Sequence, residues 1–109
     1  MQTGDLVIVS FPFSDLLNQK ARPAVVVAET DDKYKDVIVC MISSVLPSSL
    51  SRFHILLKPS GQNNLRTTSF IKRDRIVTIE QNKILASIGR LDPEDFDKFR
   101  DTFKTLIDT

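Results

Sequence analysis

The chain has 109 residues, of which 41% are hydrophobic and 27% charged, and its formal net charge is +1. This composition excludes collagen-like, disordered and disulfide-rich classes, and the length predicts one domain, residues 1–109, around a single core. The charge is unevenly spread, because residues 1–90 hold twelve Lys and Arg against eight Asp and Glu, whereas residues 91–109 hold three against six. A basic body with an acidic C-terminal end favours a polyanionic partner for the body.

Neither a signal segment nor a membrane span is predicted. The N-terminal "MQTGDLVIV" has no basic segment before its apolar residues, and no later run approaches the ~20 residues of a membrane helix. The single cysteine, Cys40, lies in the apolar run "VIVCMI", which indicates a core position. Because the chain offers it no disulfide partner, a reducing compartment is favoured. We expect a cytoplasmic protein that does not contact membranes.

Five strands are predicted in chain order from runs rich in β-branched and aromatic residues. They are "DLVIVSFPF" (5–13), "PAVVVAE" (23–29), "VIVCMISS" (37–44), "RFHILLK" (52–58) and "TSFIKRDRIVTIE" (68–80). A polar connection (14–20) joins the first two, and the last strand is predicted to bend or break around Asp74. Valine and isoleucine runs without alternation predict strands that are buried on both faces, as in a small closed barrel.

The final segment, "LDPEDFDKFRDTFKTLI", has helical periodicity. Asp92 is predicted to cap the helix, with Pro93 at its first position. One apolar stripe is formed at spacings of three and four by Phe96, Phe99, Phe103, Leu106 and Ile107. The predicted fold class is therefore mainly β, a small antiparallel β-barrel with a C-terminal α-helix.

The familiar catalytic arrangements are missing from this sequence. A single histidine excludes a two-histidine acid–base pair, and there is no Cys/His cluster with metal spacing, no Gly-rich phosphate loop and no nucleophile elbow. We expect neither a metal nor a cofactor. His54 falls on the polar face of the fourth predicted strand and is predicted to be a plain surface residue.

Arg22 and the serine pair Ser43 and Ser44 are the best candidates for chemistry. Arg22 precedes Pro23 at the predicted mouth of the second strand, and the serines end the third. Antiparallel pairing of these strands brings both groups to one rim, where a guanidinium and a hydroxyl can grip a phosphate. The alternative is structural: Arg22 pairs with a carboxylate such as Asp15, and the serines cap a turn.

A second cluster, "LRTTSFIKRDR" (65–75), is strongly basic. Its cations, which outnumber Asp74, are Arg66, Lys72, Arg73 and Arg75. Such a strand can track a nucleic-acid backbone. The alternative is that these charges protect an exposed strand edge from pairing with other chains.

These segments, in this order, resemble the PemK/MazF family, the toxins of type II toxin–antitoxin pairs. The resemblance rests on "GDLVIVSFPFSD", "KARPAVVVAE" and "VIVCMISS", with a Gly-Asp start, an Arg-Pro pair and a final hydroxyl residue. The later "SFIKRDRIVTIEQNKI" and "IGRLDPEDFDKF" are similar to the family's late strand and to the lead-in to its C-terminal helix. The resemblance covers nearly the whole chain.

The resemblance implies an SH3-like β-barrel, usually a homodimer, and a metal-independent endoribonuclease that cuts single-stranded RNA at short sequences. In that chemistry a 2′-hydroxyl attacks the adjacent phosphate and leaves a 2′,3′-cyclic phosphate and a 5′-hydroxyl. Arg22 and Ser43 match the residues on which family members depend. The implied partners are single-stranded RNA and a cognate antitoxin, whose acidic segment would lie across the same basic surface.

Three departures from the family pattern bear on RNA binding. The first loop lacks the family's Gly-rich stretch, so Ser14, Asn18, Gln19 and Lys20 become candidate RNA contacts, together with Ser44. Arg75 stands where a glutamine is frequent, and Ser43 stands where threonine is more common.

Two alternatives to an RNA-cutting toxin stay open. One is a catalytically silent barrel that binds an antitoxin or nucleic acid without cutting. The other is the gyrase-poisoning toxin family that shares the fold, since fold does not fix function. That mode uses aromatic and small residues at the C-terminus, whereas this chain ends "KTLIDT".

Overall fold

A computed structural model describes residues 1–12 and 19–108. The strands are β1 (Asp5–Pro12), β2 (Gln19–Glu29), β3 (Val37–Ser43), β4 (His54–Leu57), β5 (Ser69–Ile79) and β6 (Ile84–Arg90). A short 3₁₀ helix (Gln81–Lys83) precedes β6, and the helix α1 (Pro93–Ile107) ends the chain. The mainly β fold class with a C-terminal helix is confirmed. None of the helices within the described ranges is long and apolar enough to span a membrane.

The six strands form one antiparallel sheet in the order β4-β5-β3-β2-β1-β6. The two end strands are brought together by the β4–β5 loop, because the backbone N–H of Arg90 donates to the carbonyl of Gln62 at 3.0 Å. Gly89 permits this approach, since a Cβ there would lie 2.3 Å from the Gln62 oxygen. The sheet therefore curls until the loop beside β4 meets β6.

Both faces of the sheet are apolar, as the unbroken valine and isoleucine runs predicted. One buried cluster contains Leu6, Val25, Cys40, Ile42, Ile55, Leu57, Ile71, Leu91 and Phe99. The other contains Val7, Val9, Ala24, Val26, Val37, Val39 and Ile79. Neighbouring residues of β1, β2 and β3 alternate between the two clusters, as the period of a strand requires.

The helix α1 packs on the first cluster through Phe99, which is buried and meets Phe103 edge to face at 4.9 Å. Pro93 begins the helix as predicted, but the Asp92 side chain makes no capping hydrogen bond. Ile107, predicted to lie on the apolar stripe, is 81% exposed. The stripe therefore contacts the core only up to the last turn.

Gly4, which immediately precedes β1, lets the backbone approach helix α1 closely. Its φ of +92° is a conformation that side chains rarely adopt, and an added Cβ would lie 2.6 Å from the Phe96 ring. The Gly4 N–H donates to Val26, and its carbonyl accepts from Leu91, at 2.9 Å in both cases. The glycine thus joins β1, β2 and the start of the helical segment.

The start of β2 and the existence of β6 are the main differences from the sequence prediction. β2 starts at Gln19, four residues before the predicted start, so Arg22 lies inside the strand and not at its mouth. Pro23 stands just before Ala24, the first residue that pairs with β3, where a missing N–H is tolerated. β6 was not predicted, because its apolar residues do not alternate and, among the described strands, it pairs with β1 alone, through two register shifts.

Candidate functional site

Arg22 and Ser43 lie on neighbouring strands, just beyond the region where these strands pair. Ala24 of β2 pairs with Met41 of β3, and Arg22 and Ser43 each lie two residues beyond that pair. On its other side Arg22 pairs with Val9 of β1. The arginine is therefore held by strands on a rigid scaffold, with its side chain half-buried.

The two side chains line one open groove of about 240 Å³, which we call the basic groove. Its lining residues are Arg22, Met41, Ile42, Ser43, Val45, Lys72 and Arg75. Three of these described lining residues are cations, and none of them carries a carboxylate. Apolar walls lower the local dielectric and strengthen the field of these cations, so the groove is built to receive an anion.

Ser43 takes part in a local turn and keeps a proton to donate. Its Oγ accepts a hydrogen bond from the N–H of Val45 at 3.1 Å. A hydroxyl has two acceptor positions and one donor, so this contact leaves the hydroxyl hydrogen for a ligand in the groove. The predicted turn-capping role is thus observed, and it also orients the hydroxyl.

Lys72 and Arg75 enter the groove from β5, where Met41 pairs with Lys72. The Nζ of Lys72 lies 5.7 Å from the centroid of the Phe70 ring, which supports the lysine stem. Arg75 is exposed. Together with Arg22 they place positive charge on opposite sides of Ser43, an arrangement suited to a chain of phosphates.

A larger groove of about 540 Å³, the side groove, adjoins the first. It is lined by Ile8, Pro23, Ser44, Asn64, Leu65, Arg66, Thr67, Ser69 and Ile88. Arg22 and Ser43 line the basic groove while their chain neighbours Pro23 and Ser44 line the side groove, so the two grooves share a wall. The predicted residues Ser44 and Arg66 lie here and not beside Arg22.

Sequence reasoning missed the uncharged residues of both grooves. Met41, Ile42 and Val45 line the basic groove, and Asn64 and Thr67 line the side groove. Val45 is 77% exposed, which no strand pattern predicts because it follows the last residue of β3. The only available signal was their position next to the predicted serine pair and the basic cluster.

The candidates of the first loop are only partly placed. Lys20 is exposed near the start of β2 and pairs with Phe11 of β1. The side chain of Gln19, together with Ser14 and Asn18, lies outside the described residues, as does Asp15, the proposed partner of Arg22.

Arg73 corrects the sequence prediction. It was expected to present its charge to nucleic acid, but its side chain is only 1% exposed. Its guanidinium Nη2 donates to the carbonyl of Arg52 at 2.8 Å, which directs it toward the β3–β4 loop. Arg73 therefore does not line the basic groove.

Cys40 and His54 stand apart from the groove. Burial, with a smaller contribution from Asp74, raises the pKa of the Cys40 thiol to about 12, which makes it a poor nucleophile. His54 meets Phe70 edge to face at 4.7 Å, and its Nδ1 accepts from the N–H of Ser51 at 3.2 Å. His54 is thus a half-buried residue with structural contacts, more than the plain surface residue predicted.

Comparisons with known proteins agree with this architecture. Residues 2–107 match the family model of the PemK-like, MazF-like toxin of type II toxin–antitoxin systems. The fold is similar to an endoribonuclease in complex with its cognate antitoxin from a mycobacterial species, with TM-score 0.76, 14% identity and coverage of 99% of this chain and 95% of that one. It is also similar to the Mycobacterium tuberculosis toxin MazF-mt6, with TM-score 0.65, 17% identity and coverage of 94% and 96%. A comparison with curated protein sequences finds no significant match.

Proposed function

The chain belongs to the PemK-like, MazF-like toxins of type II toxin–antitoxin systems, and we propose that it cuts single-stranded RNA, without a metal, at a phosphate held between Arg22 and Ser43. The observation that carries the proposal is that these two residues line one groove together with two further cations, Lys72 and Arg75, and that no carboxylate is among its lining residues within 1–12 and 19–108. The structural relative described as an endoribonuclease supports the same class of activity.

The reaction is an internal transesterification. The 2′-hydroxyl of the nucleotide before the cut loses its proton and attacks the adjacent phosphorus. The bond to the 5′-oxygen breaks, and that oxygen takes up a proton. The products are a 2′,3′-cyclic phosphate and a 5′-hydroxyl, and no water is consumed.

Arg22 and Ser43 stabilise the charge that develops in this step. The five-coordinate phosphorane carries more negative charge on its non-bridging oxygens than the phosphodiester does. A guanidinium held by two neighbouring strands and a hydroxyl oriented by Val45 are preorganised for those oxygens. Lys72 and Arg75 bind the flanking phosphates, which fixes the strand for in-line attack.

The same groove suits the antitoxin. An acidic, partly disordered segment would satisfy the three cations and cover the apolar side chains of Met41, Ile42 and Val45. Inhibition would then follow from occupation of the RNA site. The mycobacterial relative in complex with its cognate antitoxin supports a partner of this kind. We further propose that the protein works as a cytoplasmic homodimer.

A direct test incubates the purified chain with a mixed-sequence single-stranded RNA in the presence of EDTA. We expect fragments with 2′,3′-cyclic phosphate and 5′-hydroxyl ends, which kinase labelling and end sequencing identify. The Ser43→Thr variant serves as a positive control, because it keeps the hydroxyl. RNA that stays intact at several protein concentrations, while still bound, would identify a silent barrel that binds without cutting.

A further inference from the structure

Arg73 is a buried arginine with incomplete hydrogen bonding. Its side chain is 1% exposed, and its Nη2 donates to the carbonyl of Arg52. Within residues 1–12 and 19–108, its Nε and Nη1 are buried without a hydrogen-bond partner. Leaving such groups unsatisfied costs free energy, so an arginine at this position needs a reason other than stability.

The side chain connects β5 to the end of the β3–β4 loop. The guanidinium carbon of Arg73 lies 5.0 Å from the Phe53 ring centroid, and that of Arg52 lies 4.8 Å from the same ring. The backbone N–H of Arg73 donates to the Phe53 carbonyl at 3.1 Å. The Cys40 thiol approaches the Arg73 carbonyl at 3.8 Å. Arg73 is thus held by groups of the β3–β4 loop and of β3.

These contacts occur at an irregularity in the sheet. Met41 pairs with Lys72, but the preceding Cys40 pairs with Ile76, so β5 carries three additional residues opposite one step of β3. In a regular strand, residues 72 and 75 would point to opposite faces, because the side-chain period is two. In this chain Lys72 and Arg75 line the same groove. The bulge therefore brings the second cation into the site.

We infer that Arg73 is a positioning residue: its anchorage to Arg52 and Phe53 holds the bulge that directs Lys72 and Arg75 together into the basic groove. The inference deepens the proposed function, since it assigns the geometry of that site to a residue that does not line it. It also explains why a cation with two unsatisfied nitrogen atoms is buried here: the burial lowers stability, but it keeps the anion site preorganised.

The inference predicts opposite effects on stability and on activity. Replacing a buried, poorly paired ion with an apolar residue of similar length is often neutral or stabilising. A displaced catalytic cation, in contrast, lowers the rate, and a misplacement of about 1 Å typically costs about 100-fold. If Arg73 served only the packing of the core, its substitution would lower the stability and the cleavage rate together.

The test compares four proteins: the wild type, Arg73→Met, Arg73→Lys and the matched control Arg52→Met. Arg52→Met removes the same charge from the same ring, but it keeps the backbone carbonyl that Arg73 contacts. Each protein is measured by thermal unfolding, by single-turnover cleavage of the RNA and by its crystal structure. We expect Arg73→Met to unfold at the wild-type temperature or above and to cleave about 10- to 100-fold more slowly. Its Lys72 and Arg75 should separate to different faces.

The variants also decide between charge and position. Arg73→Lys should recover part of the rate, because it keeps one donor for the Arg52 carbonyl, and Arg52→Met should stay within about threefold of the wild type. If Arg52→Met lost as much cleavage rate as Arg73→Met, loss of a positive charge near Phe53 would explain both results, and the inference would be overturned. An Arg73→Met structure with both cations still in the groove, or unfolding of both Arg73 variants, would also overturn it. If the wild type itself cuts no RNA, the proposed function fails, but the structures of the variants still decide the position of the cations.

Discussion

Two grooves of this chain have opposite electrostatic character. The basic groove, between β2, β3 and β5, presents Arg22, Lys72 and Arg75, and no carboxylate lines it in the part of the chain that the structure describes. The groove beside the start of α1, of about 640 Å³, is lined by Leu56, Lys58, Pro59, Ser60, Asp92, Pro93, Glu94, Asp95 and Lys98. We call this second groove the acidic groove. It is larger than the basic groove, so groove size does not identify the functional site.

The charged residues of the two grooves have different structural surroundings. The carboxylates of Asp92 and Glu94 lie at the N-terminus of α1, where they complement the helix dipole and need no ligand. The cations of the basic groove lie around a strand pair that offers no such dipole. The uneven charge of the sequence thus corresponds to acidic residues at the start of a helix and to cations gathered at one groove of the sheet.

The largest expected effect comes from removing the guanidinium of the basic groove. Arg22→Ala should lower RNA cleavage about 1000-fold or more, since arginines that stabilise a phosphoryl transition state are worth that much. The matched control is Lys98→Ala, which removes a cation from the acidic groove and should leave the rate unchanged. Single-turnover kinetics measures both. Equal rates for the two variants would contradict the distinction between the grooves.

A smaller loss is expected for the hydroxyl. Ser43→Ala should lower the cleavage rate about 100-fold, because it removes one preorganised donor to the phosphate oxygens. Ser43→Thr should retain most of the rate. If alanine and threonine behave alike, Ser43 serves only the turn to Val45, and the hydroxyl does not act in the reaction.

The flanking cations should contribute to RNA binding as well as to the position of the strand for attack. Lys72→Met and Arg75→Met should each reduce the dependence of log affinity on log salt concentration by about 0.7 for single-stranded RNA. Fluorescence anisotropy with a 2′-deoxy analogue, which lacks the attacking hydroxyl, measures this slope without cleavage. Lys98→Met should leave the slope unchanged, and an equal drop there would show that binding senses only net charge.

The smallest effect concerns stability at the acidic groove. Burial raises the pKa of Asp95 above its ordinary 3.8, with Asp92 and Glu94 adding to the rise and Lys98 opposing it. The folded chain therefore binds this proton more tightly than the unfolded chain, so stability falls as pH rises through the interval above 3.8. Asp95→Asn should remove this step and raise the melting temperature at neutral pH by about 2 °C at most. An unchanged pH profile of melting would contradict the role of this group.

The sequence alone was informative where a pattern repeats locally. The valine and isoleucine runs predicted buried strands, and the spacing of the phenylalanines predicted α1. The bend predicted near Asp74 corresponds to the bulge in β5. β6 was not predicted because it lies at the end of the described sheet and Leu85 is 58% exposed, so its burial pattern carries little signal.

The candidate site divides in the same way. The pairing of β2 with β3 followed from adjacent strands, so it was predictable that Arg22 and Ser43 line one groove. The position of each cation of the basic cluster could not be predicted, because a sequence does not distinguish among four cations within eleven residues. The structure places Lys72 and Arg75 in the basic groove, Arg66 in the side groove and Arg73 in the interior.

By itself, the sequence determined the mainly β class, the terminal helix and the placement of Arg22 and Ser43 at one groove, because these depend on local periodicity and on neighbouring strands. Only the tertiary structure decided which cations share the groove and which one is buried. That choice depends on a register shift between β3 and β5 and on contacts between residues twenty or more positions apart, such as the bond from Arg73 to Arg52. Such contacts follow from how the whole sheet curls, and no local pattern encodes them.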